Sequence, residues 1–255
     1  MASYTGKHAQ LYDIFYASKD YSSEADFIQK MLTKYSKIPV LNVLELAGGT
    51  GKHASLLSNN GYKLMVTDSS PDMIDAAKKK HQQNQALAFE VWDMSSPRTF
   101  TNQFDAVICL FDSIGYVQTN EKIASTLKNV HNNIKEGGIF IMEFWNAGAM
   151  IKSYEPYREK YFQQKDQKIT RISETSLNYP QQTATVDYTI IITENDQTEY
   201  IKESQTNRYF LIQEMANFLA TANLIPIKFF AGFEEKENIS TDVWHTVVVA
   251  QKETH

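Results

Sequence analysis

The chain holds 255 residues, with 25 Lys and Arg against 30 Asp and Glu and a formal charge of −5. Apolar residues make up 42% and aromatics 12%, a globular composition, and a chain of this length buries enough surface to fold without disulfides or metal. The acidity argues against a general nucleic-acid binder, the single Cys109 excludes a disulfide framework, no Cys/His spacing suits a zinc site, and the longest apolar run, Ala106–Phe111, is far too short to span a membrane.

The opening MASYTGKHAQLYD lacks the apolar stretch of a secretory signal, so a cytoplasmic chain is expected. Residues 7–35 read as two helices, the first over His8–Tyr16 and the second capped by Ser22 or Ser23, with Ala25, Phe27, Ile28, Met31 and Leu32 on its apolar face. Strands and helices then alternate: strand Val40–Leu46, helix Lys52–Asn59, strand Lys63–Thr67, a helix opened by Ser70-Pro71-Asp72, strand Ala86–Trp92, strand Phe104–Leu110, helix Asn120–Ile134 ended by Gly137-Gly138, and strand Ile139–Phe144. This order predicts an α/β fold, a doubly wound, mostly parallel Rossmann-like sheet of seven strands, with ligands beyond the carboxyl ends of the strands. Residues 165–205 alternate instead, as in Thr185-Val186-Asp187-Tyr188-Thr189-Ile190, and predict antiparallel strands inserted after the fifth strand. A helix at Ile212–Ala222 and a final pair of strands, Pro226–Gly232 and Val243–Ala250, close the chain.

Glycine is scarce, 10 in 255, yet three of the ten are Gly48, Gly49 and Gly51, directly after the first strand. Such enrichment marks a tight turn or a close approach to a ligand. Asp68 follows 17 residues after Gly51 at the end of the second strand, where an acid accepts both hydroxyls of a ribose, and Asp93-Met94 ends the third. Gly49-Thr50-Gly51-Lys52-His53-Ala54 satisfies G-x-G-x-x-A, so a dinucleotide is formally allowed. Against it stand Glu45, four residues before Gly49 where such strands are apolar, and the third acid, Asp93.

This set, Glu45 through Gly51, Asp68, Asp93-Met94, Phe104-Asp105-Ala106-Val107-Ile108 and Gly137-Gly138, resembles the class I S-adenosylmethionine-dependent methyltransferases over roughly residues 40–145. A finer resemblance, to the N,N-dimethyltransferases of nucleotide-linked amino sugars, rests on His8–Tyr16, Lys19-Asp20-Tyr21, Glu24-Ala25, Phe111–Tyr116 and Glu143-Phe144-Trp145. Asp112, where that group has a small polar residue, and Trp244-His245-Thr246-Val247 depart from it.

The resemblance implies one domain over 1–255. Within it lie N-terminal helices over the cofactor at 1–38, a cofactor-binding core at 39–148, a β-rich lid or dimer insertion at 149–208, and a final helix with an antiparallel strand pair at 209–255. It implies S-adenosylmethionine held by Tyr12, Tyr21, Glu45, Ala47, Gly49, Gly51, Asp68, Ser69, Met73, Asp93, Met94 and Leu110, with Tyr116, Tyr12 and Glu143 as the catalytic set and no metal. The implied partner is a small molecule, foremost the amino group of a dTDP-linked sugar, with no nucleic acid or membrane; a homodimer is compatible. Methylation of N or O on another small metabolite, or an inactive cofactor-binding scaffold, are the alternatives. Each residue also has a packing reading: Tyr12 and Tyr21 as helix contacts, Met73 as a core gap-filler, Tyr116 as a surface tyrosine, Glu143 as a helix cap, His245 as a structural strand residue. For Tyr116, orienting an amine suits a phenol better than acting as a base, which would require a pKa lowered from about 10.

Overall fold

The computed structural model describes residues 6–101, 103–164, 166–195 and 197–252. Residues 1–5 of the expected N-terminal segment lie outside the described residues. Two helices, α1 (Gly6–Phe15) and α2 (Tyr21–Tyr35), lead into β1 (Asn42–Leu46), α3 (Lys52–Asn59), β2 (Lys63–Asp68), α4 (Pro71–Lys80), β3 (Leu87–Val91) and β4 (Phe104–Cys109). A 3₁₀ turn (Ser113–Val117), α5 (Asn120–Asn133), β5 (Ile134–Trp145) and α6 (Ala147–Ser153) follow. Next come β6 (Tyr157–Gln164), β7 (Gln167–Asn178), β8 (Thr183–Glu194), β9 (Gln197–Arg208), α7 (Ile212–Thr221), β10 (Leu224–Ala231) and β11 (His245–Lys252).

Seven strands form one sheet in the order β10-β11-β5-β4-β1-β2-β3, and only β11 runs against its neighbours. Helices cover both faces, so the central strands are apolar without alternation. Val43, Ala106, Ile108 and Ile141 pack one way, against Ile28, Met31, Ala54 and Leu57. Leu44, Val107, Phe140 and Met142 pack the other way, against Leu127, Val130, Met215 and Leu219. From β1 the chain proceeds outward through β2 and β3, then crosses to β4 and β5 on the other side. That reversal opens a crevice at the carboxyl end of β1.

β6 to β9 form a separate antiparallel meander. Leu11 and Phe15 of α1 pack on its Ile169, Ile190 and Ile192, so the N-terminal helix bridges the two sheets. The polypeptide returns to the first sheet at Phe210, whose N–H donates to the Trp145 carbonyl (2.9 Å). Among the described residues no helix is long and apolar enough to cross a membrane.

Three local expectations are corrected. The cap of α2 is Asp20, whose carboxylate accepts from the Ser23 N–H (3.0 Å), not Ser22 or Ser23. Gly137-Gly138 does not end α5. That helix stops at Asn133, whose side chain turns back to the Phe100 N–H (2.6 Å) and the Arg98 carbonyl (2.8 Å), and the two glycines lie inside β5 where its register with β4 shifts. The stretch opening at 149 is helical, because Asn146 caps α6 through the Gly148 N–H (3.0 Å); the β-rich part begins at Tyr157.

Candidate active site

Beyond β1 the backbone turns through Ala47, Gly49 and Gly51 at φ of 51°, 56° and 73°. A Cβ on Gly48 would fall 2.5 Å from Val66, so the turn packs directly on β2. A Cβ on Gly49 would meet nothing within 4 Å, because this residue faces a cavity of about 590 Å³. Asp68, at the end of β2, holds the turn: its carboxylate accepts from the Gly49 N–H (3.0 Å) and from the Ser70 N–H (2.8 Å). Each oxygen keeps a second lone pair for a ligand hydroxyl. Ser70 caps α4 through the Met73 N–H (3.3 Å), which sets the buried Met73 on the cavity wall.

Glu45 points into this cavity from the last turn of β1, buried, with Oε2 lacking any hydrogen-bond partner. Burial, then the neighbouring Asp68 charge, push its pKa up to about 8. His53 lies behind it, one ring nitrogen 2.7 Å from Glu24 and the other 4.0 Å from Glu45. α1 is tied over the loop by Asp13, which accepts from the Thr50 hydroxyl (2.9 Å) and pairs with Lys80 (2.5 Å). That docking carries Tyr12 to the cavity beside Tyr21 of α2, and burial raises both phenols well above their ordinary pKa.

A second cavity, of about 580 Å³, lies between the meander and the end of β4, and shares Phe111 and Tyr116 with the first. Phe111 and Asp112 both sit at positive φ (57° and 56°), a corner uncommon for non-glycine residues and typical of functional sites. Glu143 of β5 accepts from the Phe111 N–H (2.5 Å). β9 closes over the corner so tightly that a Cβ on Gly115 would overlap Asn207 and approach the Arg208 carbonyl to 2.6 Å. The Tyr116 hydroxyl donates to Gln205 of β9 (3.2 Å). His245, at the start of β11, places Nδ1 3.0 Å from Asp112 and 2.9 Å from Glu143. The Asp112 charge, with help from Glu143, raises the imidazole pKa to about 11 and keeps it cationic at neutral pH. His245 therefore has an electrostatic task as well as its place in the β11 ladder.

Residues 43–138 match the family described as a methyltransferase domain. The chain is 24% identical to the Bacillus subtilis protein YqeM over 229 residues, 90% of each chain. It is 28% identical over 145 residues, 56% of this chain and 59% of the other, to the dTDP-3-amino-3,4,6-trideoxy-alpha-D-glucopyranose N,N-dimethyltransferase of Streptomyces venezuelae. In fold it is similar to an S-adenosylmethionine-dependent methyltransferase from Clostridium acetobutylicum, with a TM-score of 0.83 and 19% identity over 97% of this chain and 98% of that one. The chain is a class I S-adenosylmethionine-dependent methyltransferase.

The methyltransferase's first cavity fits its cofactor on three counts. Gly49 leaves open space where a side chain would stand, the buried Glu45 Oε2 is unfilled, and Asp68 presents spare lone pairs at a strand end. Tyr12, Tyr21, Glu45, Ala47, Gly49, Asp68, Ser69, Met73, Asp93, Met94 and Leu110 all line it. Gly51 does not; it is the left-handed N-cap residue of α3, against Phe89. Tyr116 lines both cavities, whereas Glu143 lines neither and holds Phe111 and His245 instead. Lys52, Trp92, Ser204 and Thr206 also line the first cavity, and His245 and Arg171 the second one; of these the sequence singles out only His245, as a pocket-lining or a structural strand residue.

Proposed function

We propose that this methyltransferase methylates the amino group of a nucleotide-linked sugar. The observation that carries the reading is the second cavity, which adjoins the first at their shared lining residues Phe111 and Tyr116 and is lined by meander residues. A small acceptor seated there meets the cofactor only at those two residues. The Streptomyces venezuelae relative, which is named for methylating a dTDP-linked amino sugar, supports the choice of acceptor.

S-adenosylmethionine supplies a methyl group already activated on its sulfonium, so the protein contributes alignment and exclusion of water. In this reading Tyr12, Tyr21, Glu45, Gly49, Asp68, Ser69, Met73, Asp93, Met94 and Leu110 hold the cofactor. Tyr116, which lines both cavities and donates its hydroxyl to Gln205, orients the acceptor, since a phenol oxygen can take an amine N–H as well as donate. Glu143 is a positioning residue, because it fixes the Phe111 backbone and the His245 ring without reaching either cavity. Incubating the protein with S-adenosylmethionine and a panel of nucleotide-linked amino sugars, and reading product mass, tests the proposal. A gain of one or two methyl groups on an amino sugar is expected. Methylation of non-sugar amines alone overturns it.

A further inference from the structure

Arg171 of β7 is 5% exposed, and neither its Nε nor its Nη1 has a hydrogen-bond partner. Its guanidinium lies 4.8 Å from the ring centre of Phe15, 5.5 Å from Tyr188 and 5.6 Å from Tyr16, and no carboxylate is paired with it among the described residues. Aromatic faces offset part of the cost of burying a cation, but they do not satisfy its N–H groups. The residue directly opposite in the ladder is Lys160, another cation without an ion-pair partner among the described residues. Like charges facing across a strand pair repel. Both line the second cavity, where Arg158 stands two residues along β6, engaged by Glu155, and where the cationic His245 also lies, engaged by Asp112 and Glu143. Burial, then the charges of Arg158 and Arg171, lower the Lys160 pKa, which marks the same crowding of positive charge.

A buried guanidinium with open donors and a lysine facing it across the ladder form a receptor that lacks its anion. The planar fork of arginine matches two oxygens of a phosphate or a carboxylate. We infer that Arg171 and Lys160 bind an oxyanion of the acceptor, and that the acceptor is therefore an anionic small molecule. The inference rests on the proposed function for placing the acceptor in this cavity. Its oxyanion has two sources, the diphosphate of a nucleotide-linked sugar or the carboxylate of an amino acid. Ser173, which is paired with Arg158 in the ladder, adds a hydroxyl donor to the same wall.

Calorimetric titration of the full chain with inorganic pyrophosphate, and separately with acetate, tests this. Wild type is expected to bind one of them, more weakly as salt is raised. Arg171→Met is expected to lose about tenfold or more in that affinity and Lys160→Gln about threefold, both with S-adenosylmethionine affinity retained as the check on folding. A preference for pyrophosphate points to a diphosphate acceptor, and a preference for acetate to a carboxylate one. No binding of either anion, or equal affinity in wild type and both variants, overturns the receptor. Lys160 is exposed, so Lys160→Gln decides the matter if Arg171→Met fails to fold. The two readings fail separately. Anion binding with no amino sugar methylated removes the nucleotide-sugar reading alone, and amino-sugar methylation with an unchanged KM in Arg171→Met removes the receptor alone.

Discussion

The two cavities are built in different ways. The walls of the cofactor cavity come mainly from residues that directly follow β1, β2, β3 and β4, so each group reaches its place through the strand it terminates. The acceptor cavity draws Asp112 from the end of β4, Arg171 from β7, Gln205 from β9 and His245 from β11, residues up to 133 positions apart. The first is set by local chain geometry. The second depends on how the meander docks on the 3₁₀ turn, and buried polar atoms of its Asp112, Arg171 and Asn207 lack a hydrogen-bond partner.

Substitutions on the cofactor side should show the largest effect. Gly49→Val places a branched side chain at positive φ in the space reserved for the cofactor, and is expected to abolish S-adenosylmethionine binding in a folded protein. Asp68→Ala removes charge-assisted hydrogen bonds worth about 1.5–3 kcal/mol, so calorimetry should show affinity weaker by about 10- to 150-fold. Retained affinity in either variant would break the assignment of that wall to the cofactor. Across the boundary, Tyr116→Phe is expected to lower turnover about tenfold, with S-adenosylmethionine affinity unchanged and the pH profile set by the acceptor amine. An unchanged turnover number and KM would return Tyr116 to a packing role.

A further effect, read as a pH dependence rather than as a substitution, concerns Glu45. With a pKa of about 8 it is largely protonated at neutral pH in the free protein. An ammonium group at its unfilled Oε2 favours the carboxylate, so binding S-adenosylmethionine should release a proton, and affinity should rise by at most tenfold per pH unit between about pH 6 and 8, then level off. For folding the sign is opposite. The folded state holds this proton more tightly than the unfolded chain, so Glu45 costs stability as pH rises from about 4.3 to about 8. Titrations in two buffers of different ionisation enthalpy measure the release; equal heats would remove the pairing.

The same contrast explains what the sequence made legible. The seven-stranded sheet followed from apolar runs alternating with capped helices, and the lining of the first cavity from glycines and acids at strand ends, because those groups lie within a few residues of the element that positions them. Gly51 was the exception, since a glycine in the motif serves the helix start as readily as the ligand. The trio of Asp112, Glu143 and His245 was not legible as a unit. Asp112 stood out only as a departure from a family pattern, and the contact forms because β11 runs antiparallel beside β5, bringing His245 opposite Trp145. Nothing in the sequence singled out Arg171 or Lys160, because only the docking of α1 decides that this face of β7 is buried.

Exchanging residues 157–208 for the corresponding meander of a methyltransferase with a different acceptor tests the division most directly. The chimera should bind S-adenosylmethionine within about threefold of wild type, a difference under 1 kcal/mol, and should methylate the donor enzyme's acceptor. A folded chimera that loses S-adenosylmethionine binding and keeps the original acceptor would contradict the account.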